Sequence, residues 1–457
     1  LRSPAALRAL VALLALPLAV GCRPDERAPA PLRPLVLVTI DTLRADHVGA
    51  YGYTRDTTPF LDRLAAGGVR FENAYSASSH TAPSHTSMMT SLQPFQHGLL
   101  ENGMPLPPGN HTLADLLAGA GYDTAAFTSV GFLVELSQGF DRIDSQWRTG
   151  DLTVDAAIDW LDRLEGREAD ERPFFLWVHL YDPHNLRGPR TKLEPDAELL
   201  RLTAPEARRG FLDYLKVRGV PPDFYPSEDV LLERYDVYDA GIRFADRQVA
   251  RLYERVQASH PDTRWIVTSD HGEGLGNHEY DDHGRYLYDE QIRVPLIVAG
   301  VGGPPRRVER MVRLVDLYPT VAAWLGPASG AAGARRAQGY PLFSEPAETA
   351  DLSPRLAFSE RRPKDQARNR RKWEDGEIYA FRGSDFKYVY HSNGEDELYD
   401  LAADPFELDN RIGDDPERAA ALRAALESYL ETTAVPGRDA GADLYRHEDE
   451  LRALGYL

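Results

Sequence analysis

The sequence predicts an α/β fold: a large mixed, mostly parallel sheet flanked by helices, followed by a small C-terminal α+β domain. Three observations predict it. Short apolar runs such as Leu35–Ile40 (LVLVTI) and Pro173–Leu180 (PFFLWVHL) lack polar alternation, as strands buried on both faces do. Segments with apolar groups at helical spacing lie between such runs, the pattern of a parallel sheet covered on both sides. Near the C-terminus, Tyr379–Phe381 and Phe386–Tyr390 flank Gly383-Ser384-Asp385 in the manner of a hairpin.

Residues 5–21 (AALRALVALLALPLAVG), with Arg2 before them and Arg8 within, have the short apolar run and positive start of a secretory leader. The run ends at Ala19-Val20-Gly21-Cys22, which resembles a bacterial lipoprotein box. Residues 1–22 are therefore expected to be a lipoprotein-type signal with Cys22 lipidated. That places the protein in a bacterial cell envelope, periplasmic or anchored in the outer membrane, with the membrane reached only through the lipid at Cys22. Residues 23–34 (RPDERAPAPLRP) read as a Pro-rich tether.

After the first strand, Thr58-Pro59 marks a helix N-cap and first-turn proline. Phe60, Leu61 and Leu64 give its apolar face, and Gly67-Gly68 ends it. Val69–Phe71 is extended. Pro83–Ser91 and Thr112–Gly119 are expected helices, Thr124–Thr128 a short strand, and residues 229–257 a long helix. Trp265–Thr268 and Val294–Val298 are further buried strands. Residues 327–377, rich in Ala, Gly, Arg and Pro, look irregular, and 416–431 look helical. The resulting division is a main domain over 35–330, an irregular connection over 331–377 and a small α+β domain over 378–457.

The chain has 457 residues, 42% of them hydrophobic, enough for a sizeable core. Its net charge of -19 disfavours nucleic acid and gives no attraction to anionic lipid. An anionic substrate therefore needs a local positive centre, and a bound cation supplies one. The single cysteine, Cys22, excludes internal disulfides and multi-cysteine zinc sites.

Ligands of open parallel sheets bind beyond the C-terminal ends of the strands. Asp41-Thr42 follows the first run, Tyr181-Asp182-Pro183-His184 follows PFFLWVHL, and Asp270-His271-Gly272-Glu273 follows WIVTS. One such aspartate is often a helix cap. Three at corresponding positions, two with a nearby histidine, point to a divalent cation: Zn, Mn, Ca or Mg. His283-Gly284 adds a further imidazole.

These residues carry a family resemblance. Asp41-Thr42-Leu43-Arg44-Ala45-Asp46, Tyr51-Gly52-Tyr53, Thr58-Pro59-Phe60-Leu61-Asp62-Arg63-Leu64 and Gly68-Val69-Arg70-Phe71 are similar to the opening of sulfatases of the alkaline phosphatase superfamily. Ser269-Asp270-His271-Gly272-Glu273, Arg293-Val294-Pro295-Leu296, Val315-Asp316-Leu317-Tyr318-Pro319-Thr320 and Glu397-Leu398-Tyr399-Asp400-Leu401 resemble the family's later landmarks. The resemblance covers roughly residues 35–410. It implies an alkaline-phosphatase-like fold and metal-dependent cleavage of a charged ester. It also implies Asp41, Asp270, His271 and Thr81 as metal ligands, with His85, His184 and His283 at the transferring group or leaving oxygen. Asp182, His184 and His283 are alternatively a second metal or substrate site.

One departure matters. Sulfatases carry Cys- or Ser-x-Pro-x-Arg, whose first residue becomes formylglycine. Here the stretch is Thr81-Ala82-Pro83-Ser84-His85. Threonine cannot form that aldehyde, because its β-carbon bears a methyl group, so no formylglycine is expected. A sulfo-threonine lacks the second hydroxyl that expels sulfate, whereas a phospho-threonine is hydrolysed at phosphorus by relatives that use threonine. The expectation is a hydrolase of sulfate or phosphate esters working through Thr81, with phosphoesters or diesters favoured. The ester is borne by a small molecule, glycan or lipid head group. The alternatives are a phosphoethanolamine- or phosphoglycerol-transferase-like enzyme and an inactive binding homologue.

Overall fold

The chain lays down β1 (Leu35–Ile40), α1 (Pro59–Gly67), β2 (Val69–Tyr75), α2 (Thr81–Thr90), α3 (Pro94–His97), α4 (Leu113–Gly119), β3 (Asp123–Thr128) and β4 (Arg142–Ser145). It continues through α5 (Gly150–Glu165), β5 (Phe174–Leu180), α6 (Glu228–Ser259), β6 (Arg264–Thr268), α7 (Asp289–Ile292), β7 (Arg293–Ala299), β8 (Arg306–Arg313) and α8 (Leu317–Leu325). The last part is β9 (Ala357–Arg361), β10 (Ile378–Arg382), β11 (Phe386–His391), β12 (Glu397–Asp400) and α9 (Pro416–Thr433). This computed structural model describes residues 32–165, 172–184, 228–326, 337–344, 356–361 and 376–434, with isolated positions between 209 and 219. The leader with Cys22, most of the tether, the segment 185–227 and much of 327–377 lie outside the described residues.

The eight-stranded sheet has the order β4-β3-β5-β1-β6-β7-β2-β8. All its ladders are parallel except those that β7 makes with β6 and β2. β1 lies in the interior and alternates between two cores. Val36, Val38 and Ile40 join Phe60, Leu64, Val154, Trp160, Tyr238, Ile242 and Val249 from α1, α5 and α6. Leu35 and Leu37 join Met88, Met89, Leu113, Leu117, Leu317 and Val321 from α2, α4 and α8. Both faces are thus covered, which explains the unbroken apolar runs. Each fully buried leucine or valine contributes roughly 2 kcal/mol, so a charge at Val38 should be tolerated nowhere in this layer.

Register fixes the working edge of the sheet. Thr39 of β1 lies opposite His179 of β5 on one side and Thr268 of β6 on the other. The three strands run parallel and end side by side, bringing Asp41, Tyr181-Asp182 and Ser269-Asp270 to one rim.

The second sheet is antiparallel, in the order β12-β11-β10-β9. The expected hairpin is its β10–β11 pair. The region 331–377, read as irregular, contributes β9, which pairs with β10. That strand escaped notice because AFSER is short and ends in charge. Ser359 Oγ donates to Ser76 O (2.7 Å) and Glu360 N to Ala77 O (2.9 Å), so the small sheet grips the chain just before α2. The helix α2 itself begins at Thr81, two residues before the expected Pro83, and every residue in it is buried.

Candidate active site

Asp41, Thr81, Asp270 and His271 meet at the rim, all fully buried. Thr42 has φ 58°, in the left-handed region, and its N–H donates to Asp270 Oδ1 (3.2 Å). A non-glycine residue there costs energy that the surrounding fold must outweigh. His271 N also donates to Asp270 Oδ1, at 2.9 Å. His271 Nδ1 donates to Gly272 O (2.9 Å), which leaves Nε2 facing inward. That nitrogen lies 3.3 Å from Thr81 Oγ1, 3.5 Å from Asp270 Oδ2 and 3.9 Å from Asp41 Oδ1.

Asp41 Oδ1 and Asp270 Oδ2 are buried yet accept no hydrogen bond. Both lie within 4 Å of His271 Nε2, and one ligand atom from each of the three residues lies within 4.8 Å of the others. Two carboxylate oxygens and an imidazole lone pair converging in this way repel each other without a cation, and their chemistry fits a divalent one. The electrostatics agree. Burial, and then the Asp270 charge, hold the Asp41 carboxyl well above its usual range. Burial also opposes ionisation of Asp270, but His271, His85 and His179 outweigh it and bring that carboxyl below its ordinary value.

Thr81 is the first residue of α2, and His80 takes the N-cap place without a side-chain capping bond. The Thr81 hydroxyl is therefore not spent on capping and points to His271. His85, one turn on, is engaged at both ring nitrogens: Nδ1 with Thr81 O (2.8 Å) and Nε2 with Thr39 Oγ1 (3.0 Å). Burial drives its pKa down to about 4, so the ring is neutral.

His283 Nδ1 lies 3.3 Å from Glu273 Oε2 and 3.2 Å from Asp282 Oδ1. Burial alone would lower its pKa. The Glu273 carboxylate, then Asp282 and Asp41, overcome that and raise it to about 9, so this imidazole is a cation at neutral pH. It stacks on His271 (centroids 4.4 Å apart) and meets His184 edge-on at 4.7 Å. His184 in turn stacks on Tyr181 at 4.2 Å. Burial, and then the His283 charge, push the His184 pKa well below normal.

Asp182 does not join this assembly. Its Oδ1 accepts from Gly150 N at the start of α5 (3.0 Å), and burial pushes its carboxyl up to about 7. Among the described residues it belongs to none of the convergent ligand groups; the group at His283 is completed by Glu273 and Asp282 instead. Asp182, His184 and His283 thus share no convergent ligand group among the described residues: one oxygen of Asp182 serves the start of α5, and the other, Oδ2, is buried without a hydrogen bond.

Two neighbours went unread in the sequence. His179 lies within the apolar run of β5, and its Nε2 is 3.1 Å from Asp41 Oδ2. Its one signal was being the imidazole inside that otherwise apolar strand. Asn102 lies in a loop with no periodicity. Its Oδ1 accepts from Ala82 N (2.8 Å), while its buried Nδ2 has no hydrogen-bond partner.

Comparison with known proteins agrees with this geometry. The family model described as Sulfatase matches residues 33–327. The uncharacterized sulfatase YidJ of Escherichia coli (strain K12) is 26% identical, covering 88% of each chain. The multifunctional alkaline phosphatase superfamily protein PehA of Trinickia caryophylli is 25% identical over 87% of this chain and 94% of its own. The phosphonate monoester hydrolase of Agrobacterium radiobacter superposes with a TM-score of 0.66 at 21% identity, covering 88% of this chain and 96% of that one. The chain belongs to the sulfatase family of the alkaline phosphatase superfamily, whose members are metal-dependent, and it is a hydrolase of sulfate or phosphate esters.

Proposed function

We propose that this enzyme hydrolyses phosphate esters, diesters above all, through a covalent ester on Thr81. The observation that carries the reading is the Thr81 hydroxyl, buried, free of capping duty and 3.3 Å from His271 Nε2 beside the two carboxylates. Asp41, Asp270, His271 and Thr81 would hold the divalent cation. Such an ion supplies the charge that acidifies a neighbouring hydroxyl and offsets charge developing on the transferring group.

The chain's own groups divide the remaining work. Thr81 releases its acidified hydroxyl proton to solvent, and its Oγ attacks phosphorus in line as the bond to the leaving oxygen breaks. The Asn102 side-chain amide, whose buried Nδ2 has no hydrogen-bond partner, offers N–H donors to the anionic oxygens. The His283 imidazolium, paired with Glu273, is the proton source for the leaving oxygen. His85 is neutral with both nitrogens engaged, so we assign it to holding Thr81 in place instead of to acid catalysis. Water, giving a proton to the now neutral His283, then attacks phosphorus and releases Thr81; a sulfo-threonine lacks the second hydroxyl through which formylglycine enzymes expel sulfate.

The test is kcat/KM on matched aryl phosphate diesters, monoesters, phosphonates and sulfates. The expected order puts a phosphorus ester first, and Thr81→Ala should lower the ratio by about three orders of magnitude or more. A wild-type preference for the sulfate over every phosphorus ester would overturn the assignment.

A further inference from the structure

Behind the site runs a short chain of buried polar groups. Trp177 Nε1 lies 3.0 Å from Thr39 Oγ1. Thr39 Oγ1 lies 3.0 Å from His85 Nε2. His85 Nδ1 lies 2.8 Å from Thr81 O. Thr39, Thr81, His85 and Trp177 are all fully buried, so each group must find its partner within the protein.

Donor and acceptor capacity constrains the protons in the chain. An indole nitrogen only donates, so the Thr39 oxygen accepts from Trp177 and keeps its own proton available for His85. A carbonyl only accepts, so His85 Nδ1 carries the proton that Thr81 receives. In the neutral ring a proton on Nδ1 leaves Nε2 bare, and that nitrogen accepts the Thr39 proton. The backbone connects this chain to the reaction. Thr39 precedes Asp41 by two residues on β1, and Trp177 sits on the adjacent β5. Thr81 is the first residue of α2 and His85 lies one turn later.

We propose that Thr39 and Trp177 are positioning residues for Thr81: they hold the His85 ring through its bare Nε2, and that ring holds the first turn of α2 with the Thr81 hydroxyl turned to Asp41, Asp270 and His271. The inference rests on the reading of Thr81 as nucleophile. It explains why histidine serves at position 85, where the family pattern has arginine. Arginine has only donors, and it would leave the Thr39 proton without an acceptor.

The experiment compares Thr39→Val, Thr39→Ser, Trp177→Phe and Thr81→Ala with the wild type, in kcat, KM and the ¹⁵N signals of the His85 ring in metal-free protein. Thr39→Val keeps shape and removes the hydroxyl. It should lower kcat by about 10- to 100-fold with KM nearly unchanged, as for a reacting atom displaced by about an ångström. Thr39→Ser should restore most of the loss. Wild-type His85 should show a protonated Nδ1 and a bare Nε2, and Trp177→Phe and Thr39→Val should each shift that balance. A wild-type kcat in Thr39→Val, with Thr81→Ala inactive, overturns this inference and leaves the nucleophile reading standing. Loss in Thr39→Ser equal to that in Thr39→Val also overturns it, since packing would then be the cause. An active Thr81→Ala removes the nucleophile reading and this inference with it. Should Thr39→Val fail to fold, the wild-type spectrum alone decides, because a proton on Nε2 is incompatible with the proposed chain.

Discussion

At the scale of single residues, the site places like charges where only a cation makes them comfortable. Asp41 and Asp270 present buried oxygens without hydrogen-bond donors, and Asp41 resists ionisation through burial and its neighbour's charge. Asp41→Asn removes that conflict. In chelator-treated protein it should raise stability by on the order of 1 kcal/mol, read as a higher Tm, while metal content falls. A lower Tm for the variant under chelation would sink the electrostatic account. Asp270→Ala should abolish metal binding and activity yet leave the circular dichroism spectrum native, because the two hydrophobic cores lie on the sheet faces, away from this rim. Full turnover by metal-free wild type would contradict the assignment. The residues of this cluster were legible because strand ends are readable: an apolar run stops and a carboxylate follows. Asp182 met the same criterion and serves α5 instead, since a strand-end aspartate looks alike in sequence whether it meets a ligand or a helix terminus. Asn102 had no pattern to betray it, and His179 only its place in an apolar strand. Their roles depend on which loop and which neighbouring strand come alongside, and only the folded register decides that.

At the scale of elements, the small sheet braces the segments that bear the site. Lys387 of β11 is fully buried, pairing with Asp289 of α7 (2.6 Å) and Glu407 (2.5 Å) and donating to Leu287 O (3.0 Å). The loop between β6 and α7 carries Glu273 and His283, and it contains Leu275, His278 and Glu279 at positive φ. His278 secures its tip: Nδ1 lies 2.7 Å from Glu290 Oε1, Nε2 lies 3.1 Å from Glu407 O, and the ring stacks on Tyr288 at 3.7 Å. Both nitrogens face acceptors, so the ring must be an imidazolium. Burial opposes that charge, but Glu290 and Glu407 outweigh it and bring the pKa to about 9. A folded-state pKa above the unfolded value of about 6.5 gives stability that is complete below pH 6.5 and disappears as the pH rises through about 9. Wild type should therefore lose about 3 kcal/mol across that window relative to His278→Asn, measured by urea denaturation at stepped pH. Parallel curves for the two proteins would refute the clamp. None of this bracing was legible beforehand. A turn such as Asn277-His278-Glu279 reads as a solvated loop until a distant sheet supplies its partners, and β9 is too short to announce itself. The long apolar strands and the helices α1, α4 and α6 were legible because their periodicity is local.

At the scale of the whole molecule, the opposition between net charge and local charge frames the biology. The chain carries -19 overall, yet the site gathers an imidazolium at His283, the unpartnered amide of Asn102 and a carboxylate set suited to a cation. An anionic ester is thus attracted only at short range, where the field of the site exceeds that of the surface. Location would then matter as much as attraction, and the sequence carries a device for it: an apolar run ending at the single cysteine, Cys22, with a Pro-rich stretch before β1. We propose that Cys22 is lipidated and that the catalytic body is tethered at a bacterial membrane surface. One acyl chain alone binds membranes only marginally and reversibly, and stable anchoring takes more than one hydrophobic signal. A lipoprotein-type diacyl modification meets that requirement through Cys22 alone. The full chain, produced in a Gram-negative host with a clickable palmitate, should be labelled and should fractionate with membranes. Cys22→Ser should be unlabelled and soluble in the periplasm, while its kcat/KM on a soluble aryl ester stays that of the wild type, since Cys22 precedes every element of the site. An unlabelled wild type, or a labelled Cys22→Ser, would end the proposal without touching the assignment of the active site.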